Sequence, residues 1–305
     1  MTEQMGLSLV ISRLATVPAT LKTLIPGSVR NHLHCSNQEE AMNSVSSSNN
    51  SFAGNAALGS ESLSPRLEAL VAGSRALLER AIAEHKDVVY SNSLGAEAMV
   101  LTDIIATYTP EIEIFTLDTG RLHDETLALL DRLERRYQRR IQVFYPDASK
   151  IEQYVRDNGI NGFYLGLDER QSCCHIRKVE PFKRAIAGHK AWVTGVRKEQ
   201  SAERANGEAM AWDDRYGLWK VSPMLEWKDE DVWAYIKARN LPYNPLHDKG
   251  FPSIGCAPCT RAVEPGADPR SGRWWWENPE SRECGLQPRR RVIPIKVEPR
   301  RAVSQ

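Results

Sequence analysis

No stretch of 18 consecutive apolar residues occurs in the 305-residue chain, so no segment is built to cross a bilayer as a helix. A marked excess of either sign of charge is also missing: 40 Lys and Arg stand against 39 Asp and Glu, a net charge of +1. Surfaces for nucleic acid or anionic membrane carry a clear basic excess, so neither partner is expected. Cysteine is scarce, six residues in all, too sparse for a disulfide scaffold. The apolar share of 41% and charged share of 26% still allow a sizeable core.

The first 64 residues have little to bury. Asn43–Ser51 reads NSVSSSNNS, a tract that cannot offset its ordering entropy, and residues 1–64 are expected to be a poorly ordered extension. The apolar stretch Leu7–Ile11 is too short for a secretory signal, so export is not expected and the chain is read as cytoplasmic. An organellar transit peptide fits the composition, and a dispensable extension or a misplaced start codon fits it as well. Cys35, alone in this region, is read as a bystander.

From Pro65 the pattern becomes regular. Leu67, Leu70, Val71, Leu77, Leu78 and Ile82 recur at helical spacing. Strands are expected at Asp87–Ser91, Glu111–Gly120, Ile141–Pro146, Ala191–Gly195 and Leu218–Met224. Helices are expected at 96–108, 124–139, 150–158, 178–187 and 229–239. Such alternation predicts an α/β fold with a doubly wound, mostly parallel sheet over residues 65–240. Ligands of such sheets bind outside the carboxyl ends of the strands. Residues 241–288, rich in Pro, Gly, Trp and Arg, are expected to form an irregular lobe. Residues 289–305 form a basic tail: Gly285–Gln305 holds six basic residues and one acidic, so it carries +5 and the remainder −4.

Two strand ends carry suggestive chemistry. Ser91–Glu97 (SNSLGAE) offers hydroxyls, backbone N–H groups and a helix N-terminus, which suit a phosphate or sulfate. It lacks the Lys-Ser/Thr pair of a Walker loop, and an ordinary turn with a capping Ser would look similar. The second is Leu117–Thr126 (LDTGRLHDET). Cys173-Cys174 and Cys256-Ala257-Pro258-Cys259 form a second kind of signal. Four thiolates on separate loops can surround a metal, and zinc is the common case. Vicinal cysteines diverge, which suits the separate irons of an iron–sulfur cube better. A thioredoxin-like pair is the alternative for the second motif, though it sits among Pro and Gly rather than opening a helix. Cys284 lies between Arg282 and the basic tail, where positive charge lowers a thiol pKa; it reads equally as nucleophile or idle thiol. Arg177, Lys178, Arg197, Lys198, Arg204, Arg261, Arg270 and Arg273 concentrate around these motifs, and Arg forks suit phosphate and sulfate.

The ordered set SNSLGAE, LDTGRLHDET, CCHIRKVEP, GVRKEQSAER, GCAPCTR, GRWWWE and ECGL closely resembles the assimilatory adenylyl-sulfate reductases of the phosphoadenosine phosphosulfate reductase family, over Pro65 to Leu286. The resemblance implies an adenine nucleotide alpha hydrolase-like fold, with nucleotide binding on residues 65–240. It implies one 4Fe–4S cluster per chain on Cys173, Cys174, Cys256 and Cys259, a set that points to adenylyl sulfate as substrate, with the 3′-phosphorylated analogue, or both, as the alternative. It implies substrate contacts from Ser91, Ser93, Gly95, Leu117, Thr119, Lys178, Gly195, Arg204, Arg270 and Arg273. Cys284 is the implied nucleophile, forming an S-sulfocysteine that an external dithiol resolves. With no thioredoxin-like domain after Leu286, thioredoxin or glutaredoxin is expected as a separate partner; homo-oligomers are left open. The family's usual His after ECG-Leu/Ile is Gln287 here, so activity with an altered pH dependence is expected. Two rivals are disfavoured. ATP-dependent ligases and sulfurtransferases of this fold need an Asp-Ser ending absent from SNSLGAEA, and a metal-binding regulatory module would need neither Cys284 nor the nucleotide-like loops.

Overall fold

The central strands alternate between two faces. In β1 (Val88–Asn92), Val88 and Tyr90 join one apolar cluster and Val89 joins another. β2 (Glu113–Leu117) does the same with Ile114 and Phe115, and β4 (Ala191–Val193) with Ala191, Val193 and Trp192. A period of two with both faces apolar is the mark of a sheet covered on both sides. The computed structural model describes residues 62–200, 204, 207–278 and 285–286. The extension through residue 61, the basic tail, Cys35, Cys284 and Gln287 lie outside the described residues.

Six strands form one sheet in the order β3-β2-β1-β4-β6-β5, with β3 at Gln142–Phe144, β5 at Met210–Asp213 and β6 at Leu218–Val221. Every pairing is parallel except β5 with β6. The chain winds outward from β1 through β2 to β3, then returns to start β4 on the other side of β1. The sheet is therefore doubly wound, as the alternation predicts, with its switch point between β1 and β4.

α2 (Ala96–Tyr108) is buried nearly all round, as a helix sandwiched within a core must be. α1 (Pro65–His85), α3 (Asp124–Tyr137) and α7 (Asp229–Ala238) pack against its layer. The Asp103 carboxylate of α2 is fully buried and accepts from Tyr137 Oη at 2.9 Å, Tyr235 Oη at 2.8 Å and Arg239 Nε at 3.4 Å, so the buried charge is satisfied. Ser64 caps α1, and Pro65 follows where its missing N–H costs nothing.

The other face carries α4 (Ala148–Asn158) and a composite helix. Here the structure corrects the expected helix 178–187 and the placing of the first cysteine pair on a loop. α5 (Leu167–Cys174) carries both cysteines, a π-helical turn spans His175–Val179, and α6 (Glu180–Ala185) completes the run. LDERQSCC has no apolar stripe to announce a helix, and the wider turn breaks the 3.6-residue period at the join. Pro181 explains the wide turn, since it brings no N–H and its ring would clash with the carbonyl four residues back. β5 is a further difference. It is a short edge strand with half-exposed Trp212, reversed through a turn with Gly217 at φ 68°, and it lacks the apolar run of the parallel strands.

Candidate active site

The turn after β1 is shaped by its own side chains. Asn92 Oδ1 accepts from the Leu94 N–H at 2.8 Å, and its Nδ2 donates to Thr102 Oγ1 at 2.9 Å. Leu94 is held at φ 58°, uncommon for a bulky residue, and is buried. α2 then starts with Gly95 as N-cap, so no side chain caps its first turn. This differs from an ordinary Ser-capped turn: Ser93 Oγ instead accepts from the Gly95 N–H at 3.4 Å.

A cavity of about 630 Å³ opens at this switch point, a size suited to a small-molecule ligand. All ten residues assigned to substrate by resemblance line it: Ser91, Ser93, Gly95, Leu117, Thr119, Lys178, Gly195, Arg204, Arg270 and Arg273. Strand ends β1, β2 and β4 supply the floor, and residues 252–273 of the irregular lobe supply a wall. A larger cavity of about 970 Å³ lies between α7 and the lobe, away from the strand ends.

The wall charges are sorted. Buried Arg197 gathers Glu97 and Asp229 at 2.9 Å and Glu199 at 3.3 Å, so three carboxylates are engaged by one guanidinium. Arg197 is thus no solvated surface charge; it braces the turn after β4 against α2 and α7. Asp268 accepts from the Arg270 N–H at 2.8 Å. Lys178, Arg204, Arg270 and Arg273 supply positive charge to the cavity. Arg273 is nearly buried, 4.6 Å over the Trp274 ring, and its guanidinium passes so close to Gly255 that a Cβ there would displace it.

Cys173, Cys174, Cys256 and Cys259 line one small cavity with Arg121, Arg170, Arg177 and Lys178. Lys178 lines both this cavity and the substrate cavity. Thr119 also bridges them: its hydroxyl lies 3.3 Å from Cys256 Sγ, and its carbonyl accepts from Arg177 Nη1 at 2.6 Å. Burial pushes the Cys173 thiol up, and burial beside Cys256 and Cys174 pushes Cys259 up to about 12. Thiols held that high are protonated and inert unless a cation replaces the proton. Among the described residues, no three His, Cys, Asp or Glu side chains are gathered as one metal ion would require. Four thiols around one cavity that Arg121, Arg170, Arg177 and Lys178 also line are a donor set of the kind that holds a thiolate-bound metal group.

Two anchors were not legible in the sequence. Arg170 on α5 pairs with Glu277 through two contacts of 2.7 Å, both side chains nearly fully buried, and lies 4.8 Å over the Trp274 ring. Its position three and four residues before the cysteines would have marked it had the helix been recognised. Arg121, inside LDTGRLHDET, is the other; its carbonyl accepts from the Ala257 N–H at 2.8 Å, tying that loop to the second cysteine motif.

Fold and cavity together define a doubly wound α/β protein with a basic site at its switch point. The pattern of the phosphoadenosine phosphosulfate reductase domain matches residues 87–262, and the chain belongs to that family. An adenosine 5'-phosphosulfate reductase from Allochromatium vinosum is 51% identical over 229 residues, covering 75% of this chain and 89% of its own length. One from Burkholderia cepacia is 49% identical over 224 residues, covering 73% and 90%. Among solved structures, phosphoadenylyl-sulfate reductase from Candida auris, in a phosphate complex, is similar at TM-score 0.54 and 25% identity, over 67% of this chain and all of that one.

Proposed function

We propose that this protein reduces adenylyl sulfate to sulfite and AMP, with a separate dithiol protein, thioredoxin or glutaredoxin, as reductant. The observation that carries the proposal is the coincidence of two cavities: one lined by all ten residues assigned to substrate, the other by four cysteines, with Lys178 in both. Names of relatives about half identical over most of their length support the same activity.

In this reading the open turn after β1 and the cations Lys178, Arg204, Arg270 and Arg273 hold the phosphosulfate, while Leu117, Thr119 and Gly195 border the nucleoside. Cys284, as thiolate, attacks the sulfate sulfur. The new S–S bond forms as the S–O bond of the mixed anhydride breaks, and AMP leaves with the electron pair. The external dithiol attacks Cys284 Sγ, and sulfite leaves with the bonding pair. The dithiol's second sulfur then restores the Cys284 thiolate, so the dithiol ends as a disulfide, oxidised by two electrons. Cys173, Cys174, Cys256 and Cys259 would hold a 4Fe–4S cluster. When bound, that cluster supplies fixed charge near the phosphosulfate and is not consumed. The assignment gives nucleotide binding to residues 65–240 and the late thiols to residues 241–288. No helix among the described residues is long and apolar enough to cross a membrane, and we take the site of action as the cytoplasm.

The test is sulfite release from adenylyl sulfate and from its 3′-phosphorylated analogue with reduced thioredoxin. Turnover of the first, abolished in Cys284→Ser with absorption at about 400 nm retained, is expected. A colourless protein with stoichiometric zinc would sink the cluster assignment, and preference for the second substrate would reverse the specificity.

A further inference from the structure

Three carboxylates, Glu97, Glu199 and Asp229, line the cavity that Arg204 also lines, so that cation has competing partners on the wall itself. Arg197 engages all three, and Gln200 stands between Glu97 and Arg204. Gln200 closes the single 3₁₀ turn Lys198–Gln200 after β4, where its N–H donates to the Arg197 carbonyl at 3.3 Å. It lines the cavity half-buried, and its amide is bonded at both ends. Nε2 donates to Glu97 Oε1 at 2.8 Å, the same oxygen that accepts from Arg197 Nε at 2.9 Å. Oε1 accepts from the Arg197 N–H at 3.2 Å and from Arg204 Nη1. A carboxylate only accepts and a guanidinium only donates, so the group that joins Glu97 to Arg204 must do both. Glutamine does so at this length. Glutamate would face Glu97 with a second negative charge, and lysine would face Arg204 with a second positive one.

We propose that Gln200 is a positioning residue for anion binding: its amide holds the Arg204 guanidinium at the cavity and apart from the Glu97 carboxylate, which leaves that charge for the phosphosulfate. The proposal rests on the reading of Arg204 as a substrate contact. A guanidinium closed onto Glu97 would form its charge-assisted bonds within the wall instead of with an anion. A free arginine side chain also loses rotamer freedom when it grips a ligand; one already held loses less, and affinity rises accordingly. Adenosine carries no anion and gains nothing from either effect.

Steady-state sulfite release gives kcat and KM, and competition by adenosine gives the affinity for the part without an anion. Gln200→Met keeps the length and loses both side-chain hydrogen bonds. It should raise the KM for adenylyl sulfate by about tenfold or more, with kcat and adenosine affinity within about threefold. Gln200→Glu, which sets a carboxylate against Glu97 and takes the Arg204 charge, should raise KM at least as far. Because Gln200 acts through Arg204, Gln200→Met added to Arg204→Ala should raise KM by less than about twofold more. A KM for Gln200→Met within about twofold of the natural chain, an equal loss of adenosine affinity, or losses that multiply in the double variant overturns the proposal. Should Gln200→Met not fold, Gln200→Glu carries the test, and an unchanged KM there overturns it. Arg204→Ala with an unchanged KM refutes the substrate role of Arg204 itself, whatever Gln200 does.

Discussion

Gly255→Ala adds a single methyl group at the wall of the substrate cavity. On the native backbone that carbon would lie 2.2 Å from Arg273 Nη2 and 2.6 Å from Cζ. Ordinary contact begins near about 3.5 Å, so the guanidinium must retreat by about 1.3 Å. Packed on its other sides, it can shift toward the cavity that it lines, away from the position in which it would meet the anion. Arg273 is 6% exposed, lies over Trp274, which is itself 1% exposed, and donates from Nη1 to Ser253 Oγ at 3.4 Å. A retreat of that size takes a hydrogen bond to a bound anion beyond its useful range. A hydrogen bond to a charged group is worth about 1.5–3 kcal/mol. At 1.36 kcal/mol per factor of ten, affinity for adenylyl sulfate should fall by about 10- to 150-fold. The assay is calorimetric titration with adenylyl sulfate and, in parallel, adenosine, which has no anion for Arg273 to hold. Adenosine affinity should change less than about threefold. Unchanged affinity for adenylyl sulfate would refute the role given to Arg273; an equal loss for adenosine would mean that the cavity as a whole had collapsed.

Two further outcomes concern stability. Glu277→Gln removes the carboxylate charge paired with buried Arg170 and should destabilise by about 3–5 kcal/mol in urea unfolding, whereas a loss below about 1 kcal/mol would mean that the pair is dispensable. The Arg66 guanidinium, bonded to Asp231 at 2.6 and 2.7 Å, holds that carboxyl below its usual range, so its contribution is present above the unfolded-state pKa and is lost as pH falls through the lower folded one. The stability gap between the natural chain and Asp231→Asn should therefore be full near neutrality and close below about pH 4; a gap independent of pH would contradict it.

Much of the molecule was legible from residue order. The strand starting at Asp87, the buried helix 96–108 and the helix from Asp124 follow from apolar runs and period, because those segments bury enough surface for their pattern to be unambiguous. The resemblance to a known family, carried by the ordered motifs, named the ten residues that line the cavity. Where the pattern is weak, residue order carries no signal. Leu167–Cys174 has no stripe, so a helix bearing two thiols passed for a loop, and the half-exposed strand Met210–Asp213 left no signal.

What the sequence by itself determined is the inventory: a parallel α/β core, a turn suited to anions, two cysteine pairs and a lone late thiol. Those follow from local propensities and spacings, which act within a few residues. Only the tertiary structure decided which charges meet. Arg197 looks like its basic neighbours in the sequence, yet it is claimed by Glu97, Glu199 and Asp229. Arg170 finds Glu277 across 107 residues, and Arg215 finds Leu286 across 71. Partners so far apart in the chain leave no periodic trace, because their meeting depends on how separate elements pack.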